Sequence, residues 1–205
     1  MKLYYLTSGP LKVNSYFVVN ENTNKAVLID GAENYKLIKS VEEKYGFKIT
    51  AELLTHAHFD HAGNAKKLQD DGVKIYISKL DADKLSNDLN LGSTFGRKFQ
   101  SLVPDFTFED GETLNIEGLE FKIILTPGHT DGSACFACGN YLFTGDTLFK
   151  GTVGRTDFPT GNRGDMIKSV KKLFALDVDF NVYPGHEQFT TLFFEKEHNI
   201  FSEFE

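Results

Sequence analysis

The sequence predicts an α/β protein in which two groups of β-strands form a pair of sheets and helices cover the outside. Short runs of β-branched and aromatic residues alternate with segments whose apolar residues recur at helical spacing. The strand-like runs fall into an early and a late group. The 205 residues, 40% of them hydrophobic, suffice for a large buried core. Because the sequence shows no linker or low-complexity tract, we expect one domain over residues 1–205.

The early group alternates strands and helices. In chain order we expect strands at 11–19 and 26–29, a helix that ends before Gly46, a strand at 49–54, a helix over 62–71 and a strand at 73–77. The polar residues 22–24 form a turn between the first two strands. Leu37, Ile38 and Val41 follow helical spacing, and Gly46 stands where a helix C-cap is expected.

The late group is mostly strands. We expect strands at 114–116, 119–125, 134–137, 141–143 and 180–183, a helix over 165–175 and a C-terminal helix that begins near Thr191. Met166, Ile167 and Val170 begin the apolar stripe of the helix at 165–175. Between the two groups, residues 87–104 are polar and contain two glycines, which indicates a long surface loop or a short helical excursion.

Composition narrows the partners and the compartment. The net charge of −7 argues against a general nucleic-acid surface, which requires a basic face. The apolar N-terminal stretch is too short for a signal-peptide core, and no run reaches membrane-spanning length. Two cysteines make no disulfide framework, so we expect a cytoplasmic protein, and the sequence leaves the oligomeric state open. Cys135 and Cys138 face opposite sides of a strand and lack a second ligand pair, which favours packing over a zinc site.

Three histidines and an aspartate lie together at the end of the predicted strand 49–54, as His56, His58, Asp60 and His61. Residues two apart in an extended segment point the same way, so His56 and His58 can approach one metal ion. Asp60 and His61 lie where the chain turns into a helix and could reach a second ion. Imidazole and carboxylate groups are ligands for zinc, and also for iron or manganese. Core packing alone is a poor explanation for such a cluster.

Three further candidate ligands also follow predicted strands. His129 and His186 each follow a Pro-Gly turn, and Asp146 follows the strand 141–143. Turns at strand ends can direct side chains into a cleft. Asp30 also ends a strand, where it could accept a hydrogen bond from a metal-binding histidine or could be only a turn residue.

The whole pattern, from His56-x-His58-x-Asp60-His61 through His129 and Asp146 to His186, resembles the metallo-β-lactamase superfamily. The resemblance implies a four-layer αββα sandwich with two divalent metal ions at one edge of the sheet pair, zinc being the first expectation. It also implies how the ligands divide. One ion would be held by His56, His58 and His129, the other by Asp60, His61 and His186, and Asp146 would bridge them.

Within the superfamily, the segment 143–149 and the run 154–161 are similar to those of short, single-domain glyoxalase II-like proteins, the hydroxyacylglutathione hydrolases. Full-length glyoxalase II enzymes add a C-terminal helical domain that supplies much of the glutathione pocket, and this sequence ends shortly after His186. The resemblance therefore implies hydrolysis of a thioester or an ester, with S-lactoylglutathione as one candidate substrate, and leaves the thiol carrier open.

Two ions can lower the pKa of a shared water toward neutrality and provide hydroxide for attack on a carbonyl carbon. Asp60 could both bind metal and orient this hydroxide, which makes it the candidate catalytic residue. Lys150 and Arg155 could bind a substrate carboxylate, or could be ordinary surface charges. His198 lies outside the motifs, and a position on a helix surface is favoured over contact with substrate.

Two other functions compete with the hydrolase. Persulfide dioxygenases resemble this sequence in the ligand motifs and in the segment 154–158, and they hold one iron with residues that match His56, His129 and Asp146. A metal-binding or regulatory module without turnover is the other alternative, and the complete ligand set argues against it.

Overall fold

The computed structural model describes residues 1–32 and 34–202 and has four layers. Two six-stranded sheets pack face to face, and helices cover the outer face of each sheet. This arrangement buries both faces of each sheet, as the alternation of strand-like and helical segments predicts.

The first sheet has the strand order β1-β2-β3-β4-β5-β6, with neighbours paired in sequence order. Its strands are β1 Lys2–Ser8, β2 Val13–Asn20, β3 Lys25–Ile29, β4 Lys48–Leu53, β5 Lys74–Ser78 and β6 Phe106–Phe108. Strands β1 to β3 form an antiparallel meander, and β3 to β6 are parallel. The carboxyl ends of β3 and β4 therefore lie side by side.

The second sheet has the order β14-β13-β10-β9-β8-β7. Its strands are β7 Thr113–Ile116, β8 Leu119–Leu125, β9 Ala134–Cys138, β10 Tyr141–Gly145, β13 Asn181–Pro184 and β14 Thr190–Thr191. A separate short hairpin joins β11 Leu148–Phe149 to β12 Thr152–Val153. Because β9 is antiparallel to both β8 and β10, and β10 is parallel to β13, the strands β8, β10 and β13 end at the same edge.

The helices are short, and several begin at a residue whose side chain caps the first turn. They are α1 Tyr35–Tyr45, α2 Phe59–Ala62, α3 Ala65–Asp70, α4 Arg163–Phe174 and α5 Leu192–His198, with 3-10 turns at Ala82–Ser86 and Asp88–Asn90. The side chain of Asn162 accepts from the amide of Asp165 at the start of α4. Gly46 ends α1 with a φ of 69°, a left-handed conformation that glycine adopts without strain.

Alternating residues of the strands divide the core into layers. On β2, Tyr16 and Val18 lie in the cluster between the two sheets, whereas Phe17 and Val19 pack under the helices of the first sheet. On β9, Cys138 lies between the sheets and Cys135 packs under the helices of the second sheet. Both thiols are free and buried. The two cysteines therefore face opposite sides of the strand, as the spacing predicts.

The structure differs from the sequence-based expectation at α2 and α3, at the edge strands β1 and β6, and in the short strands β11, β12 and β14, which the sequence did not predict. The helix predicted over 62–71 is wrong in its extent, because α2 and α3 are separated at Gly63 and Asn64. The buried amide of Asn64 donates to the carbonyl oxygen of Ala32, which turns the chain between the two helices. Strands β1 and β6 were not predicted: both are sheet edges with exposed positions, so their burial does not alternate cleanly.

None of the helices in the described ranges 1–32 and 34–202 combines the length and apolarity needed to cross a membrane.

Candidate metal centre

The candidate ligands converge because they follow strands that end at one edge of the sheet pair. The segment with His56, His58, Asp60 and His61 follows β4 and enters α2. His129 follows β8, Asp146 follows β10 and His186 follows β13. All of these side chains are buried or half-buried. The four strand ends therefore deliver seven side chains to one place.

The seven side chains form three overlapping groups, and within each group the ligand atoms lie within 4.8 Å of one another. The groups are His56 with His58 and His129, His56 with His61 and Asp146, and Asp60 with His61 and His186. His129 Nε2 lies 2.9 Å from His58 Nδ1, and His61 Nε2 lies 3.3 Å from His186 Nε2. Asp146 lies 3.4 Å from His61 Nε2 through Oδ1 and 3.5 Å from His129 Nε2 through Oδ2. Its carboxylate thus stands between the first and third groups.

Hydrogen bonds on the far side of three imidazole rings orient their Nε2 atoms toward the centre. His61 Nδ1 lies 2.9 Å from Asp30 Oδ2, His129 Nδ1 lies 2.8 Å from the carbonyl oxygen of Arg155, and His186 Nδ1 lies 2.9 Å from that of Leu11. Each oxygen can only accept, so each Nδ1 donates a proton to it and each Nε2 faces the centre. This is the arrangement that metal-binding histidines use.

The charge state of the centre suits a cation. Burial and the surrounding imidazoles hold the pKa of His56 well below its usual range, so this ring is neutral. Burial alone would raise the pKa of Asp60, but His61, His186 and His58 outweigh it and hold that pKa below its usual range. Burial opposes protonation of His61, yet the carboxylates of Asp146, Asp60 and Asp30 raise the pKa of His61 to about 10. A proton on His61 therefore occupies a position that a cation can take.

Unpartnered buried atoms provide an independent test of whether metal ions fit here. His56 Nε2, His58 Nε2 and Asp146 Oδ1 are buried and have no hydrogen-bond partner among the residues that the structure describes. Buried polar atoms in native proteins are nearly always hydrogen-bonded, and exceptions point to a missing ion or water. Imidazole nitrogens with carboxylate oxygens match the donor set of zinc, iron or manganese. The residues present therefore fit a pair of divalent ions.

Two buried aspartates hold the loops that carry the ligands. Asp30 accepts from the amide and hydroxyl of Thr55, both at 2.8 Å, in addition to its contact with His61. Asp81 accepts from the amide of Ala57 at 2.9 Å and from the hydroxyl of Thr130 at 3.0 Å. Asp81 thus ties the loop after β4 to the loop after β8. Asp30 is among the candidates predicted from the sequence, whereas Asp81 is not, because no motif distinguishes it from other aspartates.

The glycines of the two Pro-Gly turns permit close packing at the centre. A Cβ on Gly185 would lie 2.5 Å from Asp146 Oδ1 and 2.7 Å from His61 Cε1, and one on Gly128 would lie 2.5 Å from the Cα of Met166. Any side chain at either position would displace a ligand or the start of α4. The glycines are therefore required by the close approach of the backbone.

Two cavities meet above the ligands. The larger is an open, mainly polar cleft of about 870 Å³ with Lys12, Lys150 and Gln188 on its walls. The smaller is a largely apolar cavity of about 200 Å³. Both are lined by Leu11, Asp146, Arg155 and His186. A bound molecule could thus extend into both cavities from a reacting group at the centre.

The remaining candidate residues lie in different surroundings. Lys150 lines the cleft, and its Nζ lies 3.2 Å from Gln188 Oε1. Arg155 forms two 2.7 Å hydrogen bonds to Asp157, and its guanidinium carbon lies 3.8 Å from the ring centroid of Phe158. His198 lies on the exposed surface of α5 and stacks on Phe194. The placement of His198 matches the helix-surface interpretation.

Comparisons with known proteins agree with this geometry. The profile of the metallo-β-lactamase superfamily matches residues 8–186. Hydroxyacylglutathione hydrolase GloC of Haemophilus influenzae is 36% identical to this chain, over 92% of this chain and 92% of its own length.

Solved structures confirm the predicted four-layer fold. The BLEG-1 B3 metallo-β-lactamase has a TM-score of 0.94 at 28% identity and covers 99% of this chain and 100% of its own. The structure of TTHA1623 in a di-iron-bound form has a TM-score of 0.86 at 32% identity, over 97% of this chain and 99% of that one. From its sequence, its fold and its ligand-rich centre, the chain belongs to the metallo-β-lactamase superfamily of divalent-metal hydrolases.

Proposed function

We propose that this protein hydrolyses a thioester, in the manner of glyoxalase II-like enzymes, with two divalent ions at the seven-residue centre. The observation that carries the proposal is the convergence of seven His and Asp side chains beside an open cleft, in overlapping groups whose ligand atoms lie within 4.8 Å of one another. The identity of 36% to a hydroxyacylglutathione hydrolase supports the choice of thioester.

His56, His58 and His129 would hold one ion, and Asp60, His61 and His186 the other. Asp146 would bridge the two. When bound, a pair of divalent ions polarises a carbonyl and lowers the pKa of a water at the site. Zinc is our first choice from the nitrogen-rich donor set, with iron or manganese as alternatives.

Asp60 is the proposed catalytic residue. Its depressed pKa means that the carboxylate is ionised at neutral pH and can accept a proton or a hydrogen bond from the attacking water. Its Oδ2 lies 3.6 Å from His186 Nε2 and 3.7 Å from His61 Nε2, which holds the carboxylate inside the centre. Asp60 would therefore orient the water toward the carbonyl carbon.

Lys150 and Arg155 are proposed to bind a carboxylate of the thiol carrier. In the described part of the chain, Lys150 pairs with a neutral group, the side-chain amide of Gln188, and with no carboxylate, so its charge is available to an anion. Arg155 already pairs with Asp157, which reduces its net attraction for a second carboxylate. Lys150 is therefore expected to contribute more than Arg155 to binding of the thiol carrier.

The test compares metal-loaded with metal-free protein on S-lactoylglutathione and on an acetyl thioester of a neutral thiol. We expect hydrolysis by the loaded protein and its loss in Asp60→Asn, while Asp70→Asn, an exposed aspartate paired with Lys66, serves as the matched control. Failure to hydrolyse either thioester above the metal-free rate would contradict the proposal. Binding of one iron per chain, with oxygen uptake on a persulfide, would replace it with the dioxygenase.

We propose in addition that the protein is cytoplasmic and that its partner is a small-molecule substrate. Both thiols are free and buried, which suits the reducing cytoplasm, and the cleft beside the metal centre suits a small molecule.

A further inference from the structure

The smaller cavity beside the metal centre has an apolar wall that the reaction itself does not require. This wall, called here the apolar compartment, consists of Leu11, Phe59, Leu91, Phe95 and Phe158. The rest of the lining is Arg155 and the ligands themselves, His58, Asp60, His129, Asp146 and His186. A group that fills this cavity therefore contacts carbon on one side and the metal centre on the other.

The aromatic rings of the apolar compartment support one another. The ring centroids of Phe59 and Phe95 lie 5.4 Å apart, and those of Phe95 and Phe158 lie 5.9 Å apart at an interplanar angle of 85°. Phe158 also meets the edge of His58, with 5.9 Å between centroids. The compartment is thus a packed aromatic surface that continues directly from a metal-binding histidine.

Leu91 places a large apolar side chain at a backbone conformation that disfavours it. Leu91 has a φ of 64° and is buried. Glycine or asparagine adopts this left-handed conformation far more readily than leucine does. A branched apolar residue in this conformation completes the wall of the cavity at the expense of backbone strain.

We propose that the apolar compartment binds the acyl group of the substrate, so that the enzyme prefers thioesters with an unbranched aliphatic or aromatic acyl chain over hydroxyacyl thioesters such as lactoyl. This inference rests on the proposed thioesterase function. The side chains of Leu11, Phe59, Leu91, Phe95 and Phe158 offer no hydrogen-bond partner, so a hydroxyl group that is buried against them weakens binding.

The two cavities then bind different parts of the substrate. The acyl chain lies in the apolar compartment of about 200 Å³, the carbonyl lies over the ligands, and the thiol carrier lies in the polar cleft of about 870 Å³. Leu11 and Arg155 line both cavities and mark the boundary between them. A persulfide has no acyl group and would leave the apolar compartment without an occupant.

The test is a series of thioesters of one thiol with acetyl, butanoyl, hexanoyl, phenylacetyl and lactoyl groups. Each added methylene is expected to raise kcat/KM about fourfold until the cavity is filled, and lactoyl is expected to fall below butanoyl. In parallel, the affinity of the metal-loaded protein for hydrolysis-resistant S-alkyl thioethers of the same thiol is measured by calorimetry and is expected to rise with chain length in the same way.

Two variants locate the effect. Phe95→Ala removes a side chain that is 46% exposed, so the fold should tolerate it, and it is expected to lower kcat/KM for the hexanoyl thioester by several-fold, up to about tenfold. Leu91→Gly removes the side chain and relieves the backbone strain at once. In both variants, the acetyl thioester should change less than about twofold, because an acetyl group scarcely enters the cavity. Phe193→Ala, at a position that is 44% exposed on α5, is the matched control and should leave every ratio unchanged.

The outcomes separate the two proposals. If the wild type hydrolyses no thioester, the thioesterase proposal fails, and the calorimetric series alone then decides whether the apolar compartment binds acyl-like chains. If thioesters are hydrolysed but rate and affinity do not depend on chain length, or if Phe95→Ala and Leu91→Gly behave like Phe193→Ala, the assignment of the compartment is overturned and the thioesterase proposal stands.

Discussion

Replacement of Asp30 by asparagine tests how the fold prepares a histidine for metal. In the wild type, Asp30 accepts three hydrogen bonds, from the amide of Thr55, the hydroxyl of Thr55 and Nδ1 of His61. Asparagine has the same shape but only one acceptor oxygen. If that oxygen stays on the buried amide of Thr55, the new NH₂ group faces His61 Nδ1, and two donors oppose each other.

The magnitude follows from this conflict. The hydroxyl of Thr55 can rotate to accept, whereas His61 can accept only if its proton moves to Nε2, the atom that faces the metal centre. Loss of such an outer hydrogen-bond partner lowers metal affinity by about 10- to 100-fold, which corresponds to about 1.4 to 2.7 kcal/mol. The effect should be confined to the ion held by Asp60, His61 and His186.

The assay is a competition titration of each variant with a chromophoric chelator. We expect one ion of Asp30→Asn to bind as in the wild type and the second to bind 10- to 100-fold more weakly. Glu52→Gln is the control, because Glu52 is as deeply buried but, within the described ranges, accepts a hydrogen bond from the amide of Gly31 and from no metal-binding candidate. Wild-type affinity at both sites in Asp30→Asn would refute the reasoning.

Three further predictions concern stability and substrate binding. Burial raises the pKa of Glu52 from its usual 4.5 to about 8, so protonated Glu52 stabilises the folded state below pH 4.5, and this contribution is lost as the pH rises to 8. Over this pH range the free energy of unfolding of Glu52→Gln should therefore rise relative to that of the wild type, by about 1.4 kcal/mol for each tenfold difference in proton affinity between the folded and unfolded states. Urea titrations at several pH values measure this difference. Asp81→Asn removes a charge-assisted hydrogen bond from the buried ammonium of Lys84 at 2.7 Å and should lower the free energy of unfolding by about 1.5 to 3 kcal/mol. An unchanged free energy of unfolding would contradict this role of Asp81. Lys150→Ala should raise KM for a glutathione thioester by up to about fivefold and leave a neutral thioester unaffected, because an exposed ion pair contributes at most about 1 kcal/mol.

The convergence of the seven candidate ligands could be predicted from the sequence because they lie in short segments directly after strands. His56 to His61 occupy six consecutive positions, and His129 and His186 follow Pro-Gly turns. The position of a strand end predicts where such side chains point. The division into two sheets could also be predicted, because β2 and β9 are apolar runs that are buried along nearly their whole length, and β8 alternates buried and exposed residues at its start.

The substrate side of the site could not be predicted from local patterns. Leu91 and Phe95 belong to a polar segment that indicates a surface loop or a short helical excursion, and nothing in their spacing places them beside His58. Asp81 holds two ligand loops that are far apart in sequence, a contact that exists only after the sheets have packed. The helix break at Asn64 likewise depends on a tertiary hydrogen bond to Ala32. Long-range contacts of this kind leave no periodic signal.

The most direct test of the metal centre is the number of ions bound per chain, measured by elemental analysis after loading at saturating metal and removal of unbound metal by dialysis. If the seven candidate ligands form two sets that share the carboxylate of Asp146, as proposed, the wild type should retain two divalent ions. The variant His186→Ala should retain one and His58→Ala one, each losing the ion on its own side. Retention of two ions by His186→Ala, or of fewer than two by the wild type at saturating metal, would contradict the two-ion centre.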